Sequence, residues 1–249
     1  FSIYDQVCKN DFDDTNYAMF MQKGVHNKQI PTEVLEAYIS SMAGAETSNL
    51  ENLRWSGDVL SGNPLLALQD GVIKQAVTAG TFLPVTAPTT AAITDPTTVI
   101  AELQKVITAT PATVRMQANY KLIVSATIFA AYEQAISSNI ALATWNMGMG
   151  AALQTEPIFV GYFAGTKVPM YVATGLDAGY AGVALAGNFS NDVKGNLVFV
   201  TDAISDQSGI TVQDRQAVFA SEPFVDITWS FRQGMTIVRY PEVVIYIQP

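Results

Sequence analysis

A nucleophilic triad needs a histidine to take the proton from an attacking hydroxyl or thiol. This sequence offers one, His26, inside the polar run Gly24, Val25, His26, Asn27, Lys28, Gln29. No Gly-x-Ser-x-Gly elbow occurs anywhere, so His26 reads as a loop histidine. Cys8 is the sole cysteine and has no partner for an internal disulfide or for metal-ligand spacing. Asp11, Asp13 and Asp14 crowd three carboxylates together, but no loop glycine and no twelfth-position Glu follow. The calcium-loop pattern therefore fails, and a solvated turn is expected. Gly148 and Gly150 follow Trp145 and Asn146 without the Lys-Ser/Thr of a phosphate loop, and read as a flexible loop. Asn188, Phe189, Ser190 matches a glycosylation acceptor, a three-residue pattern that arises often by chance. Glu156, Asp177, Asp202, Asp206 and Glu222 could converge as an acid–base pair, yet their spacing singles out none. The sequence nominates no catalytic, cofactor-binding or metal-ligating residue, and the weight shifts to a structural role.

Composition points the same way. The 249 residues are 49% apolar but only 14% charged, against roughly 25% for an ordinary soluble domain. Either much of the surface is buried against other subunits, or it is a Thr, Ser and Ala-rich exterior. Twenty-two acidic and 13 basic residues give a net charge of −9, and the Lys and Arg residues form no cluster. Specific nucleic-acid readout needs a basic stripe, so nearby DNA would be contained rather than gripped. The apolar stretch from Leu122 to Tyr132 is interrupted by Ser125 and Thr127 and falls short of the ~20 residues that cross a bilayer. The start at Phe1, with Asp5, Lys9, Asp11, Asp13 and Asp14 behind it, has no signal-peptide core and reads as a cut or processed end.

Periodicity supplies the elements. Val34, Leu35, Tyr38, Ile39, Met42, Leu50 and Leu53 recur at helical spacing after Pro31, which predicts one long amphipathic helix from Thr32, with Gly44 as a possible bend. Ser56 to Pro64 is turn-rich, and Leu65, Leu66, Leu68, Val72 and Ile73 make a short apolar segment around Gly71. Residues 78–98, with Pro84, Pro88 and Pro96, read as an exposed extended crossing. Asp95 is placed to cap a helix with Pro96 at its first position and Val99, Ile100, Leu103, Val106 and Ile107 on one face. Lys121 to Ser125 predicts a buried strand, followed at once by a helix bearing Ile128, Phe129, Tyr132 and Ile136. Strands are expected at 158–163, 168–173, 182–186, 197–200, 226–231, 235–239 and 243–247, with a helical stretch near Val212 to Ala220. No repeat of 20 to 50 residues is visible.

That order resembles the major capsid proteins of tailed phages, the Hong Kong 97-type fold. The helix running into Glu51, Asn52, Leu53, Arg54, Trp55, Ser56, Gly57, Asp58 resembles the spine helix and the Gly-Asp that ends it. Asp70, Gly71, Val72, Ile73 is similar to the turn entering the axial domain. Lys121 to Ser125 with its helix, and Gly165, Thr166, Lys167, Val168, Pro169, Met170, Tyr171, Val172, resemble that domain's strands. Phe231 to Val244, through Arg232, Gly234 and Pro241, is similar to the closing strand pair of the peripheral domain.

The resemblance implies an α+β fold with a spine helix, a peripheral β-rich domain and an axial α/β domain. It places residues 1–70 in the N-terminal segment and spine helix, 71–199 in the axial domain and 200–249 in the return to the peripheral domain. It implies no enzyme activity and no cofactor, but a shell subunit meeting copies of itself in pentamers and hexamers. Scaffold, portal or decoration proteins are possible further partners. The location would be the virion capsid, assembled in the bacterial host cytoplasm. The family's N-terminal arm and extended loop are missing ahead of the spine helix, so this chain alone is expected to fold without closing particles. Neither partner of the Lys–Asn cross-link known in some relatives can be placed. Two alternatives stay open: an encapsulin-like shell protein, and a secreted or cell-surface adhesion or glycan-binding module.

Overall fold

The computed structural model describes residues 2–8, 32–79, 83–84, 93–138, 158–189, 195–201, 210–215, 224–230 and 233–248. His26, the Asp11 to Asp14 group, Gly148, Gly150, Glu156, Asp202, Asp206, Glu222 and most of the extended crossing lie outside them.

The expected long helix is α1, Thr32–Ser56, with Glu33 in its first turn and Arg54 in its last, charges that suit the two ends of the helix dipole. It runs through Gly44 as one element. At 100° per residue, Leu35, Ile39, Met42, Leu50 and Leu53 share roughly an 80° sector, the stripe that the spacing predicts. Leu50 and Leu53 are buried, whereas Leu35, Ile39 and Met42 are half-buried. Leu50→Ala should cost about 2–5 kcal/mol in urea unfolding; a cost below about 0.5 kcal/mol would mean that the stripe is not core.

The chain divides into two compact units, residues 1–47 with 200–234 and residues 48–199 with 235–249. In the first, β1 (Ser2–Cys8), β8 (Ile210–Asp214) and β9 (Phe224–Ser230) form an antiparallel sheet in the order β1-β9-β8. Alternation sends Val7, Val225 and Ile227 to one face, where Val34, Leu35, Tyr38, Ile39 and Met42 of α1 pack on them. The Tyr38 hydroxyl donates to Asp5. Elsewhere in this sheet Arg215 Nε donates to Asp226 Oδ2 at 2.5 Å, and the Tyr4 hydroxyl donates to Asp226 Oδ1 at 2.9 Å. The helix expected from Val212 is a strand up to Asp214. Ile210 and Val212 fall opposite Trp229 and Ile227, and pairing overrides weak helical periodicity there.

The second unit centres on a six-stranded mixed sheet. Its strands are β2 (Leu83–Pro84), β3 (Tyr120–Val124), β4 (Ile158–Tyr162), β5 (Pro169–Val172), β6 (Gly182–Asn188) and β11 (Val244–Gln248), in the order β2-β11-β6-β3-β5-β4. The β3–β5 and β2–β11 pairs are parallel and the others antiparallel. The remaining strands, β7 (Leu197–Thr201) and β10 (Gln233–Ile237), form a two-stranded sheet of their own.

Both faces of the large sheet are covered, which is why its central strands read as near-continuous apolar runs. Leu122, Val124, Ala184, Ala186, Val244 and Tyr246 belong to one buried cluster with α3 (Val99–Ala109) and α5 (Ala126–Ser137). Ile123, Val183, Leu185 and Ile245 belong to the other, with Trp55 and α2 (Val72–Ala79). A short helix, α4 (Ala112–Arg115), links α3 to β3. A mixed sheet covered by helices differs from the β-sandwiches that dominate the adhesion-module class.

Two helix starts show how local polar groups set boundaries. Ser125 caps α5, its Oγ accepting from Ile128 N at 3.4 Å, and Asp177 Oδ2 accepts from Ala126 N at 2.9 Å. By contrast α3 begins three residues later than expected, at Val99, with Thr98 rather than Asp95 as its N-cap. Asp95 instead accepts from Thr97 N and Thr97 Oγ1, both at 2.8 Å. This tight turn with Pro96 inside it precedes the helix, and the Thr97 amide holds the Asp95 carboxyl below its ordinary range.

Candidate functional site

The end of α1, residues 48–56, belongs to the second unit and is packed into it. Trp55 is 1% exposed, and its indole N–H donates to Glu51 one turn earlier. Arg54 Nη1 meets Glu51 Oε2 at 3.2 Å, and its guanidinium lies 4.7 Å from the centre of the Phe199 ring. Ser56 Oγ donates to Gly175 O at 2.7 Å, and Gly71 N donates to Gly57 O at 2.8 Å. These contacts leave no room for a side chain: a Cβ at Gly71 would sit 2.6 Å from both Gly57 N and Trp55 O. The three glycines at 57, 71 and 175 thus let backbones touch, and so fix the direction in which α1 hands the chain on.

Between Gly57 and Gly71 the chain forms a closed loop whose polar side chains bind its own backbone. Asp58 Oδ1 accepts from Leu60 N at 2.9 Å, Asn63 Oδ1 from Leu65 N at 3.1 Å and Asp70 Oδ1 from Val59 N at 3.0 Å. Asp58 N also donates to Leu66 O across the loop at 2.9 Å. Four apolar side chains are left facing solvent: Val59, Leu60, Leu65 and Leu68 are 53%, 85%, 52% and 60% exposed. The apolar segment expected around Gly71 is therefore split. Val72 and Ile73 enter the core through α2, and Leu65 and Leu68 do not. Spacing alone missed this surface; the available signal was the lack of any charge from Val59 to Gln69.

Asp58 also anchors the loop to α2 through Lys74, whose Nζ donates to Asp58 Oδ2 at 2.9 Å. That bond holds the Asp58 carboxyl below, and the Lys74 amine above, their ordinary values. The depressed carboxyl stabilises the fold above the unfolded Asp value of ~3.9, and its contribution disappears as pH falls through the lower folded value. The raised amine stabilises below ~10.4, and its contribution disappears as pH rises through the higher folded value. The stability gap between wild type and Asp58→Asn should therefore be flat from about pH 5 to 9 and narrow at both extremes. Urea unfolding across that range checks it; a pH-independent gap would remove the ionic contribution.

Other candidates resolve into structural roles. Asp177, the one described member of the five scattered carboxylates, is engaged at the start of α5. Asn188 is 5% exposed within β6, and its amide donates to Gln117, so a glycan has no access to it. Asn196 is fully buried, its amide donating to Arg239 O at 2.7 Å and its oxygen accepting from Arg239 N at 2.5 Å. Among the described residues no three His, Cys, Asp or Glu side chains are grouped to hold a metal. Among them too, no helix is long and apolar enough to cross a membrane.

No protein-family model matches this sequence, and no curated protein matches it. Solved structures do. A satellite phage P4 procapsid protein superposes over 100% of this chain and 74% of its own, with a TM-score of 0.56 at 9% identity. The capsid of an empty GTA particle covers 99% and 72%, at 0.54 and 14%. The capsid of Myoviridae phage XM1 covers 100% and 72%, at 0.53 and 13%. The chain has the Hong Kong 97-type capsid fold. The long helix expected ahead of Gly57 is present as α1, and the glycine-locked loop follows its end. At such identities the common feature is the backbone path, so residue roles come from this chain's own contacts.

Proposed function

We propose that this chain is the structural subunit of an icosahedral phage or prophage capsid, assembling into pentamers and hexamers that enclose DNA. The observation that carries the reading is a capsid-type fold followed along essentially the whole chain by proteins whose structures are those of procapsids and capsids. Its composition agrees: a charged share of 14% suits a subunit whose surface is largely covered by neighbours, and a net charge of −9 suits a wall that contains DNA without gripping it. In this reading the axial domain expected over 71–199 is the second unit, which also takes in 48–70 and 235–249, and the peripheral domain is the first unit, 1–47 with 200–234. The role is non-enzymatic and the location is the virion capsid, assembled in the host cytoplasm with scaffold, portal or decoration proteins as further partners.

The test is expression of the full-length protein in a bacterial host, followed by gradient sedimentation and negative-stain microscopy. Closed particles of uniform diameter are expected. A protein that stays monomeric at all concentrations, or that shows a soluble ligand-binding activity instead, would overturn the assignment.

A further inference from the structure

From Val59 to Gln69 eleven consecutive residues carry no charge, although the chain as a whole bears −9. The stretch is tied at its base by the Gly71–Gly57 bond and braced within by Asp58, Asn63 and Asp70. Its apolar side chains are thus displayed on a preformed backbone, which lowers the ordering cost of docking. Leu60 at 85%, Leu65 at 52% and Leu68 at 60% exposure stand within nine residues of one another on this loop, more exposed apolar surface than singly scattered side chains leave. Its chemistry also selects the occupant. Nucleic acid finds no cation in the loop and an aspartate on either side. Two copies of an acidic chain repel each other except where the contact is free of charge, as it is here.

We propose that the loop from Val59 to Leu68 is a contact between copies of this chain, with Leu60, Leu65 and Leu68 seated on a neighbouring subunit. The proposal rests on the shell-subunit reading and names one surface that assembly uses. Its test is the double variant Leu60→Asp, Leu65→Asp in the full-length protein. Met116→Asp serves as the comparison, since Met116 is 90% exposed but lies outside the loop. Near-UV circular dichroism first establishes that each variant is folded, and sedimentation velocity then measures assembly. The double variant should weaken the subunit contact by roughly 30-fold or more, while Met116→Asp assembles like wild type. A folded double variant that assembles normally overturns the contact and leaves the shell reading standing. Wild-type protein that never oligomerises overturns the shell reading, and the contact with it. If the double variant fails to fold, a benzoylphenylalanine photo-cross-linker at position 60 decides. It should capture a second copy, and capture only of its own chain or of an unrelated protein overturns the proposal.

Discussion

Gly71→Ala should leave little folded protein, whereas Gly44→Ala in the same chain should be neutral or stabilising. The added methyl at Gly71 meets backbone, Gly57 N and Trp55 O at 2.6 Å, and not the movable end of a side chain. Relief requires separating the end of α1 from the segment that enters α2, and with it the packing of Trp55 against Val72 and Ile73. Overpacking that forces backbone shifts costs about 1–3 kcal/mol and occasionally more. A clash with two backbone segments belongs at or above the upper end, beyond about 4 kcal/mol. Gly44 is different: nothing lies within 4 Å of a Cβ built there, and alanine in a helix interior gains about 0.5–1 kcal/mol over glycine. Soluble yield and urea midpoints of the two variants measured side by side check this, and equal effects would refute the close-approach account.

Trp55→Ala should cost about 3–5 kcal/mol, near the top of the range for a single buried side chain. The ring is 1% exposed and belongs to the cluster of Val72, Ile73, Ala76, Ala173 and Leu176. Its N–H reaches Glu51, itself only 8% exposed. Trp55→Phe keeps part of the packing and removes the donor, and its expected cost of about 1–3 kcal/mol combines the lost hydrogen bond to Glu51 with the space left by the smaller ring. Denaturant unfolding of both variants checks the two costs. A Phe variant as stable as wild type would show that the bond to Glu51 adds nothing beyond the packing.

Much of the second unit was legible from residue order. Strand β3 announced itself as an apolar run bounded by turn residues, and Ser125 marked the start of α5. The stripe Val99, Leu103, Val106, Ile107 appeared on α3 as spaced. What failed did so for identifiable reasons. Asp95 before Pro96 satisfies the rule for a helix start, yet its carboxylate is equally suited to close a turn on Thr97. Only the packing of Val99 and Leu103 into the core decides where the helix begins. Val212 lies in a segment of ambiguous period, and the neighbouring strand β9 settled it as β8. Leu65 and Leu68 looked like core by type, and their exposure follows from a loop closed by its own polar groups.

By itself the sequence determined that helices and strands mix, where the long helix runs, which residues face inward along α3, α5 and β3, and that no catalytic motif is recognisable. These properties depend on neighbours within one or two turns of chain, so they are written locally. Tertiary structure alone decided that β11, the last strand, inserts between β2 and β6. It alone decided that Gly57, Gly71 and Gly175 are places where backbones touch, and that an uncharged loop presents its leucines outward. Some of these facts join residues more than a hundred positions apart, as Gly175 with Glu51 and β11 with β2, and no periodicity carries any of them, because the free energy that selects them comes from surfaces that meet only once the chain has folded.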